Sequence, residues 1–153
     1  MDFVTDQLAI SDAQAVRRLD PDHHEFDEIV TLGYLDTVGY ERPAASTTGD
    51  RFVFSDGDHE YAKFNAAVEY VVTALADDNT VLVHCQAGVS RSAAVVSTAL
   101  ATVRDISLQE AFRRVRAVRT TVNPHPKLQD SMERYTSDRF TYEPAAYDEY
   151  PDS

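Results

Sequence analysis

Cysteine occurs once in the 153 residues, at Cys85, and tryptophan not at all. A lone thiol excludes an internal disulfide and any paired-cysteine metal or redox site. Lysine is nearly missing: Lys63 and Lys127 stand against 17 aspartates and 9 glutamates, and the formal net charge is −12. Nucleic-acid binding needs the opposite sign of surface charge, so that class of partner is not expected. No apolar run approaches the roughly 18 residues of a membrane helix. The first residues, Met1 to Asp6, carry no basic segment ahead of an apolar one. The expectation is a cytoplasmic protein with no membrane partner, long enough for one domain. An Asp-rich, Lys-poor composition resembles that of proteins from salt-adapted cytoplasms, where screening contracts the Debye length to about 3 Å at 1 M.

What is present reads as alternating strands and helices. Leu8-Ala9-Ile10 is a short strand, and Ser11 or Asp12 caps a helix to about Leu19. Asp20 to Asp27 is polar loop, followed by the strand Ile29 to Leu32. Gly39 to Asp50 is Gly-, Pro-, Ser- and Thr-rich and reads as loop, and Arg51 to Phe54 as a strand. A turn at Ser55 to Asp58 leads into a helix from about Glu60 to Ala76, with Phe64, Val68, Val71 and Leu75 at helical spacing. Thr80 to Val83 is the compact β-branched run expected of a buried central strand. Ala93 to Val103 is apolar on nearly every side and predicts a buried helix. Ser107 with Glu110 forms a capping-box pattern for the next helix, and Pro124 and Pro126 mark a turn before a last helix over about Lys127 to Asp138. The pattern predicts an α/β fold: a central, mostly parallel sheet flanked by helices. Residues 1–139 are expected to form this domain, and 140–153, acidic with Tyr142, Tyr147 and Tyr150, a tail.

Between the central strand and the buried helix lies His84-Cys85-Gln86-Ala87-Gly88-Val89-Ser90-Arg91-Ser92. Seven residues from Cys85 to Arg91 can curl so that successive N–H groups point inward, with the next helix aiming its positive end at the same point. Gly88 permits the backbone such a curl needs, and Arg91 offers a planar fork to two phosphate oxygens. A thiol at the base meets amides, dipole and guanidinium together, and each favours the thiolate. Cys85 is thus a candidate nucleophile in a phosphate cradle.

His-Cys, five residues, Arg, then Ser is the signature of the cysteine-based protein tyrosine phosphatases. The fuller run His84-Cys85-x-Ala87-Gly88-x-Ser90-Arg91-Ser92 resembles the dual-specificity branch of that family, and looser similarity spans roughly residues 5 to 138. The resemblance implies a protein tyrosine phosphatase-like fold and a protein phosphatase acting through a phosphocysteine, with no metal and no organic cofactor. It implies that Cys85 attacks phosphorus, that Arg91 holds the equatorial oxygens, and that Ser92 helps the thiolate leave. The main-chain N–H groups of Gln86, Ala87, Gly88, Val89, Ser90 and Arg91 would bind phosphate, with His84 bracing the loop. It also implies an aspartate general acid on an upstream loop. Asp56, 29 residues before Cys85, fits by its place after a strand, and Asp58, 27 before, stays open; either also suits a plain turn. Relatives carry asparagine after the first proline of the later loop; here His125 has that slot and Asn123 precedes the proline. Either residue substitutes for it, or the loop is only a helix entry.

Phosphoinositide phosphatases of the superfamily it resembles place basic residues in this loop, and strictly tyrosine-specific members carry long insertions that deepen the pocket. This loop holds no lysine and the chain has no room for such insertions, so the resemblance implies neither class. Phosphorylated protein, at tyrosine and at serine or threonine, is the expected substrate. An RNA 5′-triphosphatase and a non-catalytic phosphopeptide-binding module are the alternatives. Asp22-His23-His24-Glu25 reads as a solvated turn rather than a metal site, and His59 as a surface residue.

Overall fold

A computed structural model describes residues 1–33 and 51–143. The loop expected over Gly39 to Asp50 and most of the expected tail lie outside the described residues. Among the described residues five strands form one sheet: β1 (Asp2–Phe3), β2 (Leu8–Ser11), β3 (Glu28–Leu32), β4 (Arg51–Phe52) and β5 (Val81–His84). Their order is β1-β2-β5-β3-β4, with β1 antiparallel at one edge and the others parallel. The helices are α1 (Ala13–Arg17), α2 (Tyr61–Ala76), α3 (Arg91–Arg104), α4 (Leu108–Val118) and α5 (Pro126–Thr136).

Register explains the two cores. Ala9, Leu82 and Ile29 lie side by side across β2, β5 and β3, and with Val16 and Phe26 they make a small cluster on one face. Their strand neighbours Leu8, Ile10, Val81, Val83, Val30 and Leu32 point the other way, because side chains alternate along a strand. That second face carries the main core, where α3 packs against α2, α4 and α5. The apolar run Ala93 to Ala101 is buried throughout, as a helix enclosed on every side requires.

Several boundaries differ from the sequence reading. β1 is only two residues long, too short for a periodic signal, and is held by pairing with Ala9 and Ile10. β4 ends at Phe52, so Val53 and Phe54 belong to the loop that follows. α3 begins at Arg91, which puts Arg91 and Ser92 in its first turn. The packed chain also runs past residue 139. Phe140 is buried edge-on against Phe112 with centroids 5.0 Å apart, Tyr142 meets the same ring at 5.9 Å, and Glu143 accepts from Arg113 at 2.7 Å. Residues 140–143 thus form a strap across α4 rather than the start of a loose tail.

Candidate active site

At the C-terminal ends of the parallel strands, register places Ser11, His84 and Thr31 in one buried polar row. The crevice beyond such strand ends is where ligands of open α/β sheets bind. His84 Nε2 and Thr31 Oγ1 are 2.9 Å apart, which fixes the ring beneath the loop and away from the cavity. Cys85, the next residue, is a free buried thiol at the cavity floor.

The loop from Cys85 to Arg91 is turned by what holds it from outside. The carbonyl of Gln86 accepts from the N–H of Ala13 at the start of α1 (3.1 Å), that of Val89 from Asn123 (2.7 Å), and that of Ser90 from Ala94 within α3 (2.9 Å). The carbonyls of Ala87 and Gly88 accept from the Arg119 guanidinium at 2.9 and 2.8 Å. No peptide in the described chain is cis, and a trans peptide opposes its N–H to its carbonyl. Five outward carbonyls therefore turn the N–H groups of Ala87 to Arg91 toward the interior. The Gly88 N–H donates to Cys85 Sγ at 3.2 Å, and Ser92 Oγ lies 3.2 Å from the same sulfur.

Ser90 precedes α3 but makes no capping bond to it; its hydroxyl accepts instead from the His125 N–H at 2.8 Å. The first amides of a helix need partners, and an anion held above Cys85 would be in line to supply them. The Arg91 guanidinium is fixed by donation to the Phe54 carbonyl at 3.1 Å. It also lies against Gly33, whose φ is +93°, so closely that an added Cβ would sit 2.4 Å from Nη1. The sequence reading missed both Gly33 and Arg119. Glycine just after β3 was a signal at hand, whereas nothing near Arg119 marks it out.

Asp56, Cys85, Arg91, Asn123 and His125 share one cavity of about 330 Å³ with the cradle residues. Asp58 does not line it. Its exposed carboxylate pairs with Lys127 on α5, which holds it below the ordinary carboxylate value, first through the hydrogen bond and then through the charge. His59 differs from the surface residue expected. Its Nδ1 donates to the Gly57 carbonyl and its Nε2 is hydrogen-bonded to the Ser131 hydroxyl, both at 2.7 Å, and its ring lies tilted against Phe54 with centroids 5.8 Å apart. The aspartate loop is thereby moored to α5 at two points. Asn123 and His125 both touch the cradle through their main-chain N–H groups, while the His125 ring lines the cavity and accepts from the Lys127 N–H at 3.1 Å.

Away from the cavity, the histidine pair is used locally: His24 Nδ1 accepts from the Phe26 N–H, and His23 lies 3.5 Å from Asp20. Among the described residues no group of three metal-ligating side chains is gathered, and no helix is long and apolar enough to cross a membrane.

Human DUSP28 has this fold, with a TM-score of 0.76 at 23% identity over 89% of this chain and 92% of its own. A putative tyrosine phosphatase, 123R, of Invertebrate iridescent virus 6 is 35% identical over 103 residues, 67% of this chain and 70% of its own length. Human dual specificity protein phosphatase 16 is 41% identical over 59 residues, 39% of this chain, and the match spans 9% of that longer protein. The family model for the dual specificity phosphatase catalytic domain matches residues 42–138, which include the cradle, the Asp56 loop and α2 to α5. The chain belongs to that family.

Proposed function

We propose that the protein is a cysteine-dependent phosphatase that removes phosphate from phosphotyrosine and from phosphoserine or phosphothreonine in proteins. The observation that carries this reading is the ring of inward amides with Cys85 Sγ at its floor, held at 3.2 Å by both the Gly88 N–H and Ser92 Oγ. Such a ring suits a dianionic phosphoryl group, and preorganised donors of this kind are strongest where charge spreads in the transition state. Cys85 attacks phosphorus in line, forming the S–P bond as the P–O bond to the leaving group breaks. Arg91 holds two equatorial oxygens, and Asp56 gives its proton to the leaving oxygen. Water then attacks the phosphocysteine while Asp56 takes the proton, and Ser92 steadies the departing thiolate. His84, bonded to Thr31, braces the strand end and stays out of the reaction.

Asp56 is preferred to Asp58 for a physical reason. A general acid must hold a proton when substrate arrives, and the Lys127 pair keeps Asp58 ionised while drawing it to α5. A cytoplasmic, salt-rich setting accompanies this reading, supported by the net charge of −12. Arg119, behind the cradle, and Lys127, next in sequence to the cavity-lining Pro126, are each engaged by aspartates, an arrangement poorly suited to an RNA substrate.

The test is turnover of an aryl phosphate and of phosphopeptides by the wild-type protein beside Cys85→Ser, Asp56→Asn and Asp58→Asn. Turnover lost with Cys85→Ser, and an altered pH–rate profile with Asp56→Asn alone, is the expected result. Tight phosphopeptide binding by wild type and Cys85→Ser alike, with no turnover in either, would replace the enzyme by a binding module.

A further inference from the structure

We propose that Arg119 is a positioning residue that sets two of the cradle's inward amides, and that Asp2 and Asp12 hold it there from the N-terminal edge of the sheet. Three of the five outward carbonyls, those of Gln86, Val89 and Ser90, are held by backbone N–H groups. The other two, of Ala87 and Gly88, are bonded to a single guanidinium, through Nη2 and Nε. The Ala87 carbonyl shares its peptide plane with the Gly88 N–H, which donates to Cys85 Sγ; the Gly88 carbonyl shares its plane with the Val89 N–H. One planar fork thus fixes two adjacent planes of the ring. A lysine ammonium, a point charge without a plane, cannot hold them in the same relation.

These two planes are also where the ring is softest. Gly88 sits at φ +68°, and glycine rotates between such conformations at little cost. The chain cannot stiffen this point with a larger residue, because an added Cβ would lie 2.7 Å from both Arg119 Nη2 and the Ser11 carbonyl oxygen. A clamp from outside is the remaining means of fixing it. Arg119 follows α4 and is itself gripped by Asp2 on β1 at 3.0 Å and by Asp12, the α1 cap, at 3.5 Å. With the guanidinium gone, those carboxylates would stand behind the cradle uncompensated and oppose an incoming phosphate.

The kinetic part of this inference rests on the phosphatase reading; the geometric part does not. Arg119→Met and Arg119→Lys are compared with wild type and with Arg114→Met, which removes only an exposed pair with Glu110. kcat, KM, inhibition by phosphate and by vanadate, and the unfolding midpoint are measured. Vanadate mimics the five-coordinate transition state, so misaligned amides should weaken it more than phosphate. Arg119→Met is expected to lower kcat roughly 100-fold and to weaken vanadate inhibition in parallel, with KM and phosphate inhibition moving far less. Arg119→Lys is expected to recover only a minor part, and Arg114→Met to behave as wild type. A loss of stability alone, with kcat and vanadate inhibition within about threefold of wild type, overturns the proposal. So does full recovery by lysine, and the lysine variant decides the matter if the methionine variant does not fold. If wild type shows no turnover, the phosphatase reading fails by itself. Vanadate protection of Cys85 against iodoacetamide then decides the Arg119 role: weaker protection in the variants supports it, and equal protection overturns it.

Discussion

Arg91 has little freedom in choosing its position, and the cause lies 58 residues away. Its guanidinium is boxed between the Phe54 carbonyl and the bare Cα of Gly33, where a Cβ would be 2.4 Å from Nη1. Gly33→Ala should therefore do two separable things. The left-handed backbone costs a non-glycine residue about 1–2 kcal/mol, and the methyl displaces the guanidinium, lowering kcat/KM by roughly tenfold or more. A variant with normal kcat/KM would show that Arg91 tolerates another seat. Asp12 gives a prediction of a different kind. Burial raises its carboxyl pKa, but the Ala15 N–H and the Arg119 guanidinium outweigh burial and hold it below the ordinary aspartate value. A depressed value in the folded state contributes stability above the unfolded value and loses it as pH falls through the folded one. Asparagine caps a helix about as well, so Asp12→Asn should leave the cap intact while flattening the decline of the unfolding midpoint below about pH 4. Cys85, Arg91 and Ser92 were legible because one contiguous segment carries them with its own turn chemistry. Gly33 and Arg119 act across 58 and about 31 residues of chain, and no local pattern encodes that distance.

At the scale of elements, α4 and the strap depend on each other. Ser107 accepts from the Glu110 N–H, as its spacing suggests, but the Glu110 carboxylate accepts from Arg114. The strap closes over the helix through Gln109, which donates to the Thr141 carbonyl and accepts from its N–H, while Phe140 fills the space beside Phe112. Phe140→Ala removes a buried ring and should cost about 3 kcal/mol, seen as a fall of roughly 10 °C in Tm, with KM little changed. A shift near zero would mean that the strap is not part of the folded unit. The sequence misleads here because the composition after residue 139 is acidic and Tyr-rich, and composition hides a single well-placed Phe140. The central elements were plainer. Val81 to Val83 and the apolar run of α3 are buried on all sides and therefore carry an uninterrupted signal. β1 and the short β4 are held by neighbours rather than by their own pattern.

Over the whole molecule, 26 acidic against 14 basic residues give a net charge of −12 around a site built to receive an anion. That field would repel the proposed phosphorylated substrates and strain the compact state, and salt screens both effects. Activity on an aryl phosphate and the unfolding midpoint should both rise between low salt and about 1 M, where the Debye length is near 3 Å. A steep fall in either would remove the salt-adapted reading while leaving the chemistry untouched. The proposed chemistry turns on a covalent bond between Cys85 Sγ and phosphorus. Its most direct test is to mix the protein with a fast phosphoryl donor, quench in acid within the first turnover, and look for the adduct by peptide mass spectrometry. A phosphoryl group on Cys85, accumulating in Asp56→Asn if water attack is slowed and missing in Cys85→Ser, is the predicted result. Phosphate released with burst kinetics while Cys85 stays unmodified, or turnover that survives Cys85→Ser, would contradict it.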